Sequence, residues 1–175
     1  MIKRSAGIIV LLGASFLLQG QTRPGPDACA LLPVAQLNSM LGVALKDAPS
    51  IMKGKRCTRR SADAKSGVTI EWTAFSSPAS AQNMLKMNFD SASAVIAKGQ
   101  KAVGIYASIH PLATAGGAAH YLTGPGNDYS GRDLVRLQFV LNERLVTVDT
   151  NGIAPARVAG KLDAIFRTIK QNAGR

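Results

Sequence analysis

Two cysteines, two histidines and one dense run of cations are the residues of this 175-residue chain whose types and spacing could support chemistry. Cys29 and Cys57 admit three readings: a disulfide, a lipid anchor or a reactive thiol. A lipidated cysteine directly follows an apolar leader behind a small residue, whereas Cys29 stands beyond the turn-prone stretch Arg23-Pro24-Gly25-Pro26-Asp27. A reactive thiol needs a neighbouring base, which the sequence does not show. The pair therefore reads as one disulfide, as expected in an oxidising compartment. Chain-entropy arithmetic gives such a bond roughly 3 to 4 kcal/mol.

His110 and His120 have neither a carboxylate nor a cysteine between them and lack the i, i+4 spacing of a helical metal motif. They read as ordinary surface or half-buried histidines. The loop Gly124-Pro125-Gly126-Asn127-Asp128-Tyr129-Ser130-Gly131 carries oxygens that suit calcium, but its spacing is not that of an EF-hand and Arg132 opposes a cation. Glu71 and Glu143 are the only glutamates, and no element order brings them together as a hydrolase pair. No nucleophile elbow, phosphate loop or His-Glu-x-x-His occurs. The sequence assigns no catalytic residue, no metal and no cofactor.

Lys53-Gly54-Lys55-Arg56-Cys57-Thr58-Arg59-Arg60 packs five cations into eight residues. One reading is a solvated edge strand whose charges discourage sheet-to-sheet pairing. The other is an anion-binding strip of Lys53, Lys55, Arg56 and Arg60. Strand alternation puts Arg56 and Arg60 on one face and Cys57 and Arg59 on the other, so a disulfide would draw Arg59 toward the first helix.

These residues must be held by elements that the pattern makes visible. Asp27 suits the cap of the turn carrying Cys29, and a short helix runs from Pro33 to Gly42 with Val34, Leu37 and Leu41 on its apolar side. Lys55 to Ser61 and Val68 to Ser76 read as two strands, the second alternating Val68, Ile70, Trp72 and Ala74 with polar residues. Ser77-Pro78 opens a long helix to about Lys98 with a narrow stripe of Leu85, Phe89, Ala92 and Ile96. Ala118 to Thr123 reads as a further strand. Asp133 to Asn151 reads as a hairpin. If Asn142-Glu143 is the whole turn, the register pairs Phe139 with Val146, Leu137 with Val148 and Arg136 with Asp149; since Glu143 is a less natural turn residue than Gly, the alternative is a longer loop with a different register. A last helix from Pro155 buries Val158, Leu162, Ile165, Phe166 and Ile169. Both long helices follow strand pairs and open with Pro-Ala, which hints at a duplicated unit. The sum is an α+β fold, an antiparallel sheet covered by two or three helices in a single domain.

The address is written at the start. Met1-Ile2-Lys3-Arg4 followed by the apolar run Ala6 to Leu18 is too short to span a membrane and has the form of a signal peptide, with cleavage near Gly20. Residues 1–20 thus read as a leader, 21–27 as a Pro/Gly linker and 28–175 as the domain. The chain carries 21 basic and 10 acidic side chains, and removal of Lys3 and Arg4 leaves 19 minus 10, or +9. That balance favours an anionic envelope polymer, a lipid surface or an acidic protein as partner. Nucleic acid suits an exported chain poorly, and one Trp with 5% aromatics offers few stacking platforms.

Asp27-Ala28-Cys29-Ala30-Leu31-Leu32, a helix ending in Leu41-Gly42, and Cys57 ahead of an alternating strand resemble a family of small exported bacterial domains of unknown function that includes many mycobacterial-type lipoproteins. Gly116-Gly117-Ala118-Ala119-His120-Tyr121, the Leu134 to Val148 hairpin and the closing helix extend the resemblance over most of the mature chain. It implies that the two cysteines pair, and it is similar to a PsbP-like sandwich of helices around an antiparallel sheet; it brings no catalytic residues. The function expected is that of a secreted or periplasmic, non-enzymatic accessory or binding domain. The alternative is a secreted hydrolase whose site is not legible in the sequence.

Overall fold

The computed structural model describes residues 25–174 apart from 50, 51, 53, 104, 105, 116, 117 and 125–132. The leader, its cleavage point near Gly20, Lys53 and most of the Gly124 to Gly131 loop lie outside the described residues.

Seven antiparallel strands form one sheet: β1 (Leu45–Ala48), β2 (Arg56–Ser61), β3 (Gly67–Ala74), β4 (Ser108–Pro111), β5 (Ala119–Gly124), β6 (Leu134–Leu141) and β7 (Arg144–Asn151), in the order β1-β2-β3-β7-β6-β5-β4. The β6-β7 hairpin sits at the centre, and it has the register of a two-residue turn, with Phe139 opposite Val146, Leu137 opposite Val148 and Arg136 opposite Asp149. Its two-residue turn works without glycine because Asn142 adopts a φ of 54°, a conformation that Asn tolerates better than most residues.

Helices α1 (Ala28–Leu31), α2 (Val34–Leu41), α4 (Pro155–Ala159) and α5 (Leu162–Ala173) cover one face. Their buried Leu31, Leu37, Leu41, Val158 and Ile165 meet Ile70, Leu137, Phe139, Val146 and Val148 in the main core. The edge-to-face contact of Phe139 with Phe166, with ring centroids 5.0 Å apart, marks its centre. The long helix α3 (Pro78–Ala97) lies on the other face over β4, β6 and β7, where Ala92 packs with Tyr106, Leu122 and Leu134. Ser77 caps it by accepting from the Ser80 amide at 3.1 Å. The two Pro-Ala helices therefore cover opposite faces of the sheet.

One local expectation is corrected, and two strands are added to those read from the sequence. The closing helix is broken at Gly160-Lys161: Lys161 has φ −118°, and its amide turns back to Val158 O at 2.8 Å instead of continuing the ladder. Gly160, a poor helix former, sits at the break. Strand β1 exists although Lys46 and Asp47 deprive it of an apolar pattern, because the Asn38 side chain bonds both the N–H and the C=O of Leu45 at 3.0 Å. Strand β4 exists at the far edge, where Pro111 can end it without breaking a ladder.

Candidate functional site

The stripe of α3 is narrow, and opposite Leu85 and Phe89 the sheet edge presents Pro111 and His120, which are paired across β4 and β5, whereas the Ala119 side chain turns to the main core on the other face. The space left between them is a cavity of about 400 Å³ lined by Gln82, Asn83, Leu85, Lys86, Phe89, Pro111, Ala119 and His120. That is the small end of the roughly 300 to 1,000 Å³ typical of ligand cavities.

His120 is the group in this wall with acid-base capacity near neutrality. The pairing of His120 with Gln138 across β5 and β6 puts both side chains on the α3 face, where His120 is buried. Its Nε2 lies 3.2 Å from Gln138 Oε1, and the Phe89 ring meets it edge-on with centroids 5.4 Å apart. The Gln138 amide nitrogen donates in turn to Thr147 Oγ1 at 3.3 Å. With the Gln138 amide in this orientation Oε1 is the acceptor, so the tautomer that satisfies the contact carries its proton on His120 Nε2 and leaves Nδ1 as the unprotonated ring nitrogen. Burial pushes the imidazole below its ordinary 6.5, with the Gln138 hydrogen bond acting in the opposite sense. A second cavity of about 180 Å³ opens on the other side of α3, lined by Leu122, Arg136 and Gln138 among others. Gln138 thus stands between the two.

The sequence treated His120 as an ordinary histidine. A signal was present: on β5, Ala119 and Tyr121 alternate with His120 and Leu122, so both strand faces carry apolar residues and a histidine among them is covered.

The cysteines form the disulfide Cys29–Cys57, with Cα atoms 5.0 Å apart. Arg59, on the same side of β2, is 2% exposed and donates to the carbonyls of Leu32 and Cys29 and to Asp47 Oδ1, the last at 2.7 Å. Asp47 and the two sulfurs lie within 4.8 Å of one another, but the sulfurs are bonded together and the carboxylate is paired with Arg59, so this donor set is already committed.

The described members of the basic strip diverge. Lys55 Nζ sits over the Trp72 ring, 5.8 Å from its centroid. Arg56 pairs with Glu71 at 3.1 Å. Arg60 is exposed and directly opposite Lys46, on the sheet face that carries Arg56. Among the described residues no helix is long and apolar enough to cross a membrane.

No protein-family model and no curated protein matches this chain. Among solved structures, the extracellular domain of PknH from Mycobacterium tuberculosis is similar, with a TM-score of 0.60 and 14% identity over 87% of this chain and 98% of that chain. The likeness shows a shared fold. It agrees in source with the mycobacterial-type resemblance of the sequence, whose motifs no family model confirms.

Proposed function

We propose that this chain is an exported, non-enzymatic binding domain whose ligand site is the cavity beneath α3. The observation that carries the reading is His120, a buried polar ring that lines the cavity and is held through Nε2 by Gln138. Convergence of a few polar groups on an apolar cavity of this size is how small-molecule sites are built. Export is supported by the leader at residues 1–20, by a disulfide that persists in an oxidising compartment, and by a fold shared with a domain described as extracellular. The hydrolase alternative gains no support from this histidine. A general base needs a nucleophile within hydrogen-bond reach, and the partner of His120 among the described residues is an amide.

A small-molecule screen read by amide NMR shifts tests the site. Binding should perturb Leu85, Phe89, Ala119 and His120, and Asn83→Trp, which places an indole at an exposed lining position, should remove the effect. Shifts that map elsewhere, or that survive Asn83→Trp, reject the cavity. Export is tested by intact mass, which should lack about twenty residues.

A further inference from the structure

The polar groups that line the larger cavity are neutral or cationic. Gln82, Asn83, Lys86 and His120 offer amide, ammonium and imidazole groups, and among the described residues no carboxylate lines the wall. Lys86 is paired with Asp90 one turn along α3, but both are mostly exposed, and an exposed pair of this kind is weak. The ammonium can therefore exchange partners at little cost. The rest of the wall is apolar: Leu85 and Phe89 from the helix, Pro111 and Ala119 from the sheet edge.

We propose that this cavity takes a small organic carboxylate, with the anionic head between His120 and Lys86 and an apolar chain or ring laid against Leu85, Phe89 and Pro111. The inference rests on the binding reading above and names the ligand class. His120 supplies its selectivity. With Nε2–H committed to Gln138, only Nδ1 is available, and as a lone pair it repels a carboxylate, whereas once protonated it donates to one with a full charge. Anion binding is then coupled to proton uptake at His120. The groups that meet the ring are Phe89 from α3, the neutral Gln138 from β6 and Pro111 opposite on β4, and Lys86, paired with Asp90, lines the same cavity; among the described residues no other titrating group contacts the imidazole.

The test compares octanoate, octanol, octylamine and acetate by titration calorimetry on the wild-type chain, with NMR shifts locating each probe. Octanoate should bind about tenfold tighter than octanol, with octylamine and acetate weakest. Its affinity should rise several-fold from pH 7.5 to 5.5, where it stays ionised because carboxyls titrate near ~4 to 5. Lys86→Gln should lose most of the advantage over octanol, His120→Gln should flatten the pH dependence, and Lys98→Gln, outside the cavity, should change neither. Equal binding of octanol and octanoate, or preference for octylamine, overturns the carboxylate inference while leaving the cavity reading intact. Acetate as strong as octanoate overturns the apolar half. No binding of any probe, octanol included, overturns both readings. Should His120→Gln fail to fold, the probe ranking and Lys86→Gln still decide.

Discussion

The guanidinium of Arg59 donates to the carbonyl oxygen of Cys29 at 3.0 Å, so the turn that the disulfide ties to Cys57 is tied to the same strand again two residues further on. The second tie also takes the Leu32 carbonyl and is fully desolvated, whereas its acidic partner Asp47 is 59% exposed. Removing the arginine strands the buried Leu32 carbonyl and takes a donor from the half-buried Cys29 carbonyl.

Arg59→Met should therefore cost about 3 kcal/mol of unfolding free energy, and Asp47→Asn no more than about 1, as judged by denaturant titration. Replacing both cysteines with serine should cost a further ~3 kcal/mol in the wild-type background. Since both devices fix one turn, the triple variant should lose less than the sum. Simple additivity would show that they act on separate parts of the fold.

Gly25 is required by the ring it crosses. A Cβ there would lie 2.1 Å from the Trp72 ring, and Trp72 Nε1 donates to Pro26 O at 3.0 Å. Gly25→Ala should push the linker away, break that bond and cost about 1 to 2 kcal/mol. Trp72 is the sole tryptophan, so its emission should shift to the red. Unchanged emission with wild-type stability would show that the segment is not held by the ring.

Elements whose own residues carry the signal were legible in the sequence. The β6-β7 register follows from alternation about a two-residue turn at Asn142-Glu143, and the Arg136 to Asp149 ion pair, bidentate at 2.7 and 2.9 Å, falls where that register puts it. The prediction that Arg59 turns toward the first helix holds for the same reason. Strand β1 was hidden because its order comes from a side chain on another element, Asn38. The cavity was hidden for a related reason. It exists only where the narrow stripe of α3 meets Pro111 and His120 near one sheet edge, a juxtaposition no local pattern contains.

The basic strip is proposed as a surface that holds the domain near anionic envelope material, with Arg60 and its neighbour Lys46 at its outer face. Wild-type protein should co-sediment with acidic lipid vesicles at low salt and release as salt rises, since such contacts are screened over about 8 Å at physiological ionic strength. Replacing Lys55, Arg56 and Arg60 with Gln should weaken binding more than replacing Lys98, Lys161 and Lys170, which removes the same charge from elsewhere. Equal loss would mean that net charge alone governs the attraction.

His120 should also make the fold sensitive to acid in a defined direction. Its folded pKa lies below 6.5 because burial disfavours the charged ring, whereas the unfolded chain exposes it to water. Well above 6.5 both states are neutral and the full stability is present. As pH falls through 6.5 the unfolded state takes up a proton first, so unfolding is favoured progressively until the folded ring also titrates at its lower value. His120→Gln retains a polar side chain without that proton. Its deficit relative to wild type should therefore shrink between pH 7.5 and 5.5 in denaturant titrations, since groups common to both chains cancel in the difference. NMR titration of the ring carbons gives the folded value directly. A His120 that titrates above 6.5, or a deficit that widens as pH falls, would place a compensating negative charge at the ring and reverse the proton linkage argued for the cavity.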